Sequence, residues 1–356
     1  MRACLGLGFA AAGIAPAAAS GRADELRAWL AAGKHGTMDW LTEYLNERID
    51  VTRLLPGARS VIVVADAYAA PCVPDTPTPP GSGRIALYAR GEDYHAVLKR
   101  RLKKLADTLR ALPAAQGAGF RAFVDSGPAM EREHAHRAGL GWVGKHTLLI
   151  HPHRGSYFLL GGIATTLDLA PEPDAAPVAD HCGSCTRCVD ACPTEAITPY
   201  SIDARRCISY LTLEHRGPID PALHAGIGDN LLGCDICQSV CPFNHAEHHA
   251  AAPYTVNEAY APSRGPGPSL SLLEVLGWTD ADRSRVLTLS AAKRASLTML
   301  KRNAIIAAAN AVVSSRASAD AARLRERIAE LALDAGEDEV VRETARVAVE
   351  RIAAVG

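Results

Sequence analysis

The chain has 356 residues, of which 48% are hydrophobic and 22% charged, with a formal net charge of -1. That composition excludes a disordered, collagen-like or small disulfide-stapled chain, and at about 150 residues per domain the length fits two or three domains. No run of about 18 apolar residues occurs, which argues against a spanning helix. The near-neutral charge leaves only local patches for nucleic acid, and aromatics at 5% disfavour a base-stacking platform.

The stretch Ala3 to Ala19 has two readings. One is a secretory signal with a cleavage site at Ala17-Ala18-Ala19. The other, which we favour, is the first strand and turn of the folded chain. Gly6, Gly8, Gly13 and Pro16 interrupt it, and Ser20 is placed to cap a helix starting near Ala23.

Proline-rich stretches at 71–80, 171–177 and 262–268 read as loops or linkers. Before the second, the apolar run Ser60 to Ala65 reads as a buried strand. Phe120 to Val124, Thr147 to Ile150 and Tyr157 to Ile163 read as further strands. Leu98, Leu102, Leu105 and Leu109 share one face of a helix. Its other face carries Lys99, Arg100, Arg101, Lys103 and Lys104 and is read as solvated surface rather than an RNA contact. Alternating strands and helices imply an α/β domain. Residues 269–356 are alanine-rich and helical. Arg302 and Arg342 recur at a forty-residue interval, which fits either HEAT-like helical pairs or an ordinary bundle.

Eight of the ten cysteines lie between Cys182 and Cys241. Cys182-x2-Cys185-x2-Cys188-x3-Cys192-Pro193 is the bacterial ferredoxin run. Cys207, Cys234, Cys237 and Cys241-Pro242 form a less regular second half. A cubane needs thiolates at tetrahedral directions, and one curling loop with two-residue gaps supplies three. In two-cluster ferredoxins the fourth cysteine of each run ligates the other cluster. That rule predicts one 4Fe–4S cluster on Cys182, Cys185, Cys188 and Cys241, and another on Cys192, Cys207, Cys234 and Cys237. Zinc is the competing reading, but it favours separated pairs. Cys4 and Cys72 read as free thiols. His245, His248 and His249 could be a metal tract, but read better as a solvated linker. No Gly-x-Gly-x-x-Gly or Walker loop supports a nucleotide cofactor.

Seven stretches, Gly33–Leu41, Leu55–Val63, Tyr88–His95, Val124–Pro128, Gly139–Ile150, Cys207–Gly217 and Cys234–Gln238, resemble the epoxyqueuosine reductases in sequence and order. The resemblance spans nearly the whole chain. It implies reduction of epoxyqueuosine to queuosine at the tRNA wobble position, the last step of queuosine biosynthesis, with cobalamin recharged by two 4Fe–4S clusters. The implied fold is an α/β cobalamin-binding domain similar to that of reductive dehalogenases (1–172), a ferredoxin-like two-cluster domain (173–250) and C-terminal α-helical HEAT-like repeats (269–356). The implied setting is a cytoplasmic monomer, off the membrane, served by an external electron donor. The alternatives are a cobalamin-dependent reductive dehalogenase and a ferredoxin-type electron carrier.

Site residues follow from the same resemblance. Asp125 ends a strand and precedes a Ser126-Gly127-Pro128 turn, which on its own reads as an Asx-type cap. The resemblance instead makes it the acid that protonates the departing oxygen, with low solvation favouring its neutral form. Arg48, Tyr88, Asp125, His146, Ser209 and Asp235 are the expected cobalamin contacts. The tRNA phosphates are assigned to Arg205, Arg206, Arg216, Lys301 and Arg302, with Lys293 and Arg294 beside them. The chain departs from the family's habit at Val51-Thr52, Ala67-Tyr68, Tyr157, Glu195 (usually Gly) and Phe243 (usually Trp).

Overall fold

A computed structural model describes residues 1–71, 77–171, 176–245, 256–315 and 319–355. Its main sheet has four strands in the order Ala11–Pro16, Ser60–Ala67, Phe158–Thr165, Phe120–Val124. Every neighbouring pair is antiparallel. The alternation of strands and helices therefore does not produce the parallel α/β arrangement that such alternation usually signals. The helices lie on both faces all the same. Leu98, Leu102 and Leu105 of the helix Tyr94–Arg110 pack on Ile62, Val64 and Ile163. Ala135 and Ala138 close the opposite face over Val61, Val63 and Phe123. Covered on both sides, Ser60–Ala67 is buried at every position, which is why its sequence is continuously apolar.

The early stretch folds as the helix Arg2–Gly6 and the edge strand Ala11–Pro16. Ser20 does not cap the helix Ala23–Ala31. Its hydroxyl instead accepts from the Arg22 amide at 2.9 Å and donates to Glu133. The strand expected at Thr147 to Ile150 shrinks to Leu149–Ile150, paired with Trp142–Val143 outside the main sheet. Thr147 has φ 68°, so the chain turns there rather than extending. Arg101 also departs from the solvated reading of its helix face. It pairs with the fully buried Asp66, its guanidinium lies 4.0 Å from the Phe9 ring centre, and Asp66 also accepts from Tyr260 at 2.8 Å. Lys99, Arg100, Lys103 and Lys104 stay exposed.

A second, three-stranded sheet joins the three sequence regions. Ser82–Ile85 pairs in parallel with Asn230–Leu232 and antiparallel with Ser269–Ser271. Around it one core runs from Ile85 and Ala89 through Leu213 and Leu231 to Leu300, Ile305, Ile328 and Leu331 in the last helices. The regions expected at 1–172, 173–250 and 269–356 thus share a core, because none of these short strands can satisfy its edges alone.

Three helices, Leu297–Ser314, Ala319–Leu333 and Glu339–Val355, pack on one another. The first is buried nearly all round, and Arg302 within it is fully buried. Its guanidinium donates to the carbonyls of Leu211, His215 and Gly217 at 2.6–2.7 Å. Asn303 beside it donates to the carbonyls of Thr212 and Leu231 at 2.9 and 3.0 Å. The helix is thereby fastened to the cysteine-bearing segment. Among the described residues no helix is long and apolar enough to cross a membrane. Arg302→Leu strands those carbonyls in the core, and we expect a loss of about 3 kcal/mol in urea denaturation, whereas Arg216→Leu on the surface changes stability by less than about 0.5 kcal/mol.

Candidate active site and cluster cradle

The first thiol set surrounds a cavity of about 190 Å³ lined by Cys182, Cys185, Cys188 and Cys241 with His146, His181, Pro242 and Phe243. Burial pushes the Cys241 thiol up to about 11, and Cys182, Cys188 and Cys185 add to the rise. In the second set burial pushes Cys234 up to about 12, helped by Cys207 and Cys192. Cys237 rises further still through burial, Cys234 and Cys207. Among the described residues no three such side chains converge closely enough to hold one metal ion. Four thiols around a cavity suit a polynuclear cluster, whose ligands stand on the corners of a larger body, better than a single zinc. Clustered thiols that repel one another when ionised are the state a cationic iron core relieves. Cys188 also raises Cys237, so the two sets adjoin.

Two of the positions expected to depart from the family pattern have defined surroundings. Glu195 has φ 52°, in the region that glycine enters freely, and its carboxylate faces Arg206 at 3.5 Å. Phe243 packs edge-on to Trp142 with ring centres 4.7 Å apart, so the smaller ring still closes the cavity wall. Cys4 is a buried free thiol, and Cys72 lies outside the described residues. His245 bonds the Ser239 carbonyl at 2.8 Å, while His248 and His249 lie outside the described residues.

We place the cleft at the end of Phe120–Val124, where Asp125 keeps half of its side chain exposed. It does not stand alone. Its Oδ1 lies 2.8 Å from His95 Nε2, and its Oδ2 accepts from the Tyr94 hydroxyl. His95 Nδ1 in turn lies 2.7 Å from Asp93 Oδ1. Asp93 caps the helix Tyr94–Arg110 by accepting from the His95 amide at 3.0 Å, and its Oδ2 meets Lys293 Nζ at 2.7 Å. Burial works to lower the His95 value, but the two carboxylates overcome it and hold the ring up at about 9. Burial works to raise Asp125, but His95 and Tyr94 hold it below the ordinary carboxylate range. The expected neutral Asp125 is therefore corrected. At neutral pH the carboxylate is ionised and the proton sits on the imidazole, since an opposite charge at bonding distance outweighs desolvation.

Of the other predicted residues, Tyr88, Ser209 and Asp235 come together near Asp125. Partly buried Tyr88 bonds Ser209, and burial and Asp235 push its hydroxyl above the ordinary range. Its ring lies edge-on to Tyr94 at 6.1 Å. Asp235 accepts the Leu87 amide at 2.8 Å, and burial lifts it to about 6. Arg48, beside Glu131, lies 5.6 Å from the Trp40 ring centre, and its Nε is buried without a partner. Glu131 is lifted by burial to about 7, with Oε1 buried and unpartnered. His146 lines the first thiol cavity. Burial lowers it to about 4, so its ring is neutral and its Nε2 is buried without a partner.

The expected phosphate contacts divide. Arg216 is exposed. Arg205 is exposed but doubly bonded to Asp203 at 2.9 and 2.7 Å, and Arg206 donates to the Thr194 carbonyl at 2.7 Å. Arg302 is fully buried on backbone carbonyls, and Lys301 is buried against Glu337. Neither can meet a phosphate, because helical packing turns that side of the helix inward. Arg294 pairs with Glu214 and lies 6.0 Å from the Trp40 ring centre. The sequence reading missed Asp93, Tyr94, His95, Glu131 and Trp40. An Asp-x-His at the start of an amphipathic helix was the available signal for the first three.

The family model described as "Epoxyqueuosine reductase QueG, DUF1730" matches residues 48–126, and "4Fe-4S double cluster binding domain" matches 181–244. An epoxyqueuosine reductase of Alicycliphilus denitrificans is 39% identical over 338 residues, covering 92% of this chain and 91% of that relative. The chain belongs to the epoxyqueuosine reductase family. It is thus an oxidoreductase carrying a double-cluster domain. The Bacillus subtilis epoxyqueuosine reductase, solved with its catalytic aspartate loop swung out of the active site, superposes with TM-score 0.82 at 28% identity, covering 99% of this chain and 88% of that one. An epoxyqueuosine reductase bound to an epoxyqueuosine-modified tRNA-Tyr stem loop superposes with TM-score 0.77 at 25% identity, covering 99% and 97%.

The thiol arrangement sets a test. Cys241→Ser should disturb the cluster built on the first run, although Cys241 belongs to the second. Anaerobically purified protein should fall from about eight irons per chain to about four, with the Cys192, Cys207, Cys234 and Cys237 cluster retained in the reduced electron paramagnetic resonance spectrum.

Proposed function

We propose that this chain reduces epoxyqueuosine to queuosine at the wobble position of tRNA. The observation that carries the reading is the joining of a hydrogen-bonded Asp125 at a cleft with two thiol sets whose fold-back supplies Ser209 and Asp235 to the same wall. The relatives' names, and the stem loop bound to one of them, support the substrate.

Cobalamin fits the cleft on the chemistry of its walls. Arg48 Nε, Glu131 Oε1 and His146 Nε2 are buried polar atoms without partners, a costly arrangement that a polar cofactor edge relieves. Arg48, Tyr88, His146, Ser209 and Asp235 would hold it. When bound, it supplies low-potential cobalt chemistry at the epoxide carbon, fed through the two 4Fe–4S clusters by an external donor. The protein's own part is to orient the ring, exclude water and deliver protons at Asp125. Arg205, Arg206 and Arg216 remain the phosphate contacts, joined by Arg294 at the cleft edge. The division at 1–172, 173–250 and 269–356 describes these three functional parts, the last of them HEAT-like helical repeats. We take the enzyme to be a cytoplasmic monomer.

The alternatives separate cleanly. A ferredoxin-type carrier takes up no cobalamin, and a reductive dehalogenase acts on halogenated small molecules. Anaerobic reconstitution with iron, sulfide and cobalamin, followed by nucleoside analysis of tRNA carrying the epoxide, is expected to show queuosine. Asp125→Asn should keep cluster and corrin absorption but lose about 10²–10⁴-fold in turnover. Undiminished turnover in that variant would remove Asp125 from the reaction.

A further inference from the structure

Asp125 is paired too well to be the resting proton source. His95 lies between two carboxylates, with Asp93 Oδ1 at 2.7 Å from Nδ1 and Asp125 Oδ1 at 2.8 Å from Nε2. Asp93 is itself anchored, by its helix-cap bond and by Lys293 at 2.7 Å. We propose that Asp93, His95 and Asp125 form a proton relay, in which His95 stores the proton that Asp125 passes to the oxygen of the opening epoxide. This rests on the epoxyqueuosine reading for the substrate but not for the place of the proton.

Making an alkene from an epoxide consumes two electrons and two protons and releases water. As the carbon–oxygen bond breaks, the Nε2 proton of His95 moves onto the Asp125 carboxylate and Asp125 hands one proton to the oxygen, so that a single proton leaves the pair. The pair then stands as a carboxylate beside a neutral imidazole whose Nδ1–H still bonds Asp93. Solvent reprotonates the pair, and a second transfer turns the bound hydroxyl into leaving water. The two electrons come from a low-potential donor through the clusters. Asp93 is a positioning residue: it fixes the tautomer and ring plane of His95, as a second carboxylate does for a general acid–base histidine. Lys293 ties this arrangement to the third region of the chain.

The groups facing His95 are Asp93 and Tyr94 on its own helix, Asp125 across the cleft and, around these carboxylates, Lys293, Arg294 and Tyr88. The carboxylates dominate, so the ring holds its proton to about pH 9. A raised value means that the acid form is full below it and lost above it. Turnover should therefore stay level from neutral pH to about 9 and then fall tenfold per pH unit.

The deciding experiment is an imidazole titration by nuclear magnetic resonance on ¹⁵N-histidine-labelled holoenzyme, with the His95 signal identified by its loss in His95→Gln. Asp125→Asn and Asp93→Asn should each move its midpoint down by about one unit or more. Asp93→Asn should also shift the alkaline limb of single-turnover queuosine formation to lower pH, while its affinity for the modified stem loop stays within about twofold. A His95 midpoint near 6.5, the ordinary value, with both carboxylates intact would overturn the relay. So would a His95→Gln enzyme with the wild-type rate and pH profile. The titration needs no turnover, so a failure of the substrate assignment leaves it decisive on its own.

Discussion

A chain that offers three thiols from one loop and takes the fourth from another has to fold back on itself. Cys182, Cys185 and Cys188 close on Cys241, and Cys192 joins Cys207, Cys234 and Cys237. This crossing sets the path of everything between the two runs. It returns the helix Ile208–Leu213, with Ser209, and Asp235 to the wall against which Tyr88 packs. The electron-carrying segment therefore supplies part of the cleft rather than docking beside it.

The surrounding fold holds that arrangement with backbone and buried polar bonds. The sheet of Ser82–Ile85, Asn230–Leu232 and Ser269–Ser271 takes one strand from each region. Arg302 and Asn303 then saturate the carbonyls of the segment that follows Cys207. A buried guanidinium with so many carbonyl acceptors is tolerable only when each donor is matched, and this directional demand fixes where the last helices sit. The loop leading to Trp40 is pinned in the same manner. Gly36 has φ 63°, and a Cβ there would lie 2.3 Å from the Tyr210 hydroxyl, which receives the Thr37 amide at 2.7 Å.

At the cleft the balance between desolvation and pairing decides which group carries the proton. Desolvation alone would leave a neutral carboxyl at Asp125 and a neutral ring at His95. Hydrogen bonds of 2.7 and 2.8 Å to two carboxylates reverse both. Glu131 has no such partner, and there desolvation prevails. Neighbouring acids thus have their proton affinities pushed in opposite directions, a separation by environment that acid–base sites use.

The eight thiols, their ferredoxin spacing, the buried strand Ser60–Ala67 and the face of Leu98, Leu102 and Leu105 were legible in the sequence, because ligand spacing and periodicity act over a few residues. Asp125 was legible as a residue but not in its charge state, since that depends on His95 thirty positions earlier in the chain. Arg302 and Lys301 read as surface cations because a basic pair on a helix gives no sign of which side another element covers. The antiparallel sheet, the shared three-stranded sheet and the neighbours of His95 were decided by tertiary structure alone. Strand pairing, burial and proton affinity are settled by groups distant in sequence, whose approach no local pattern encodes.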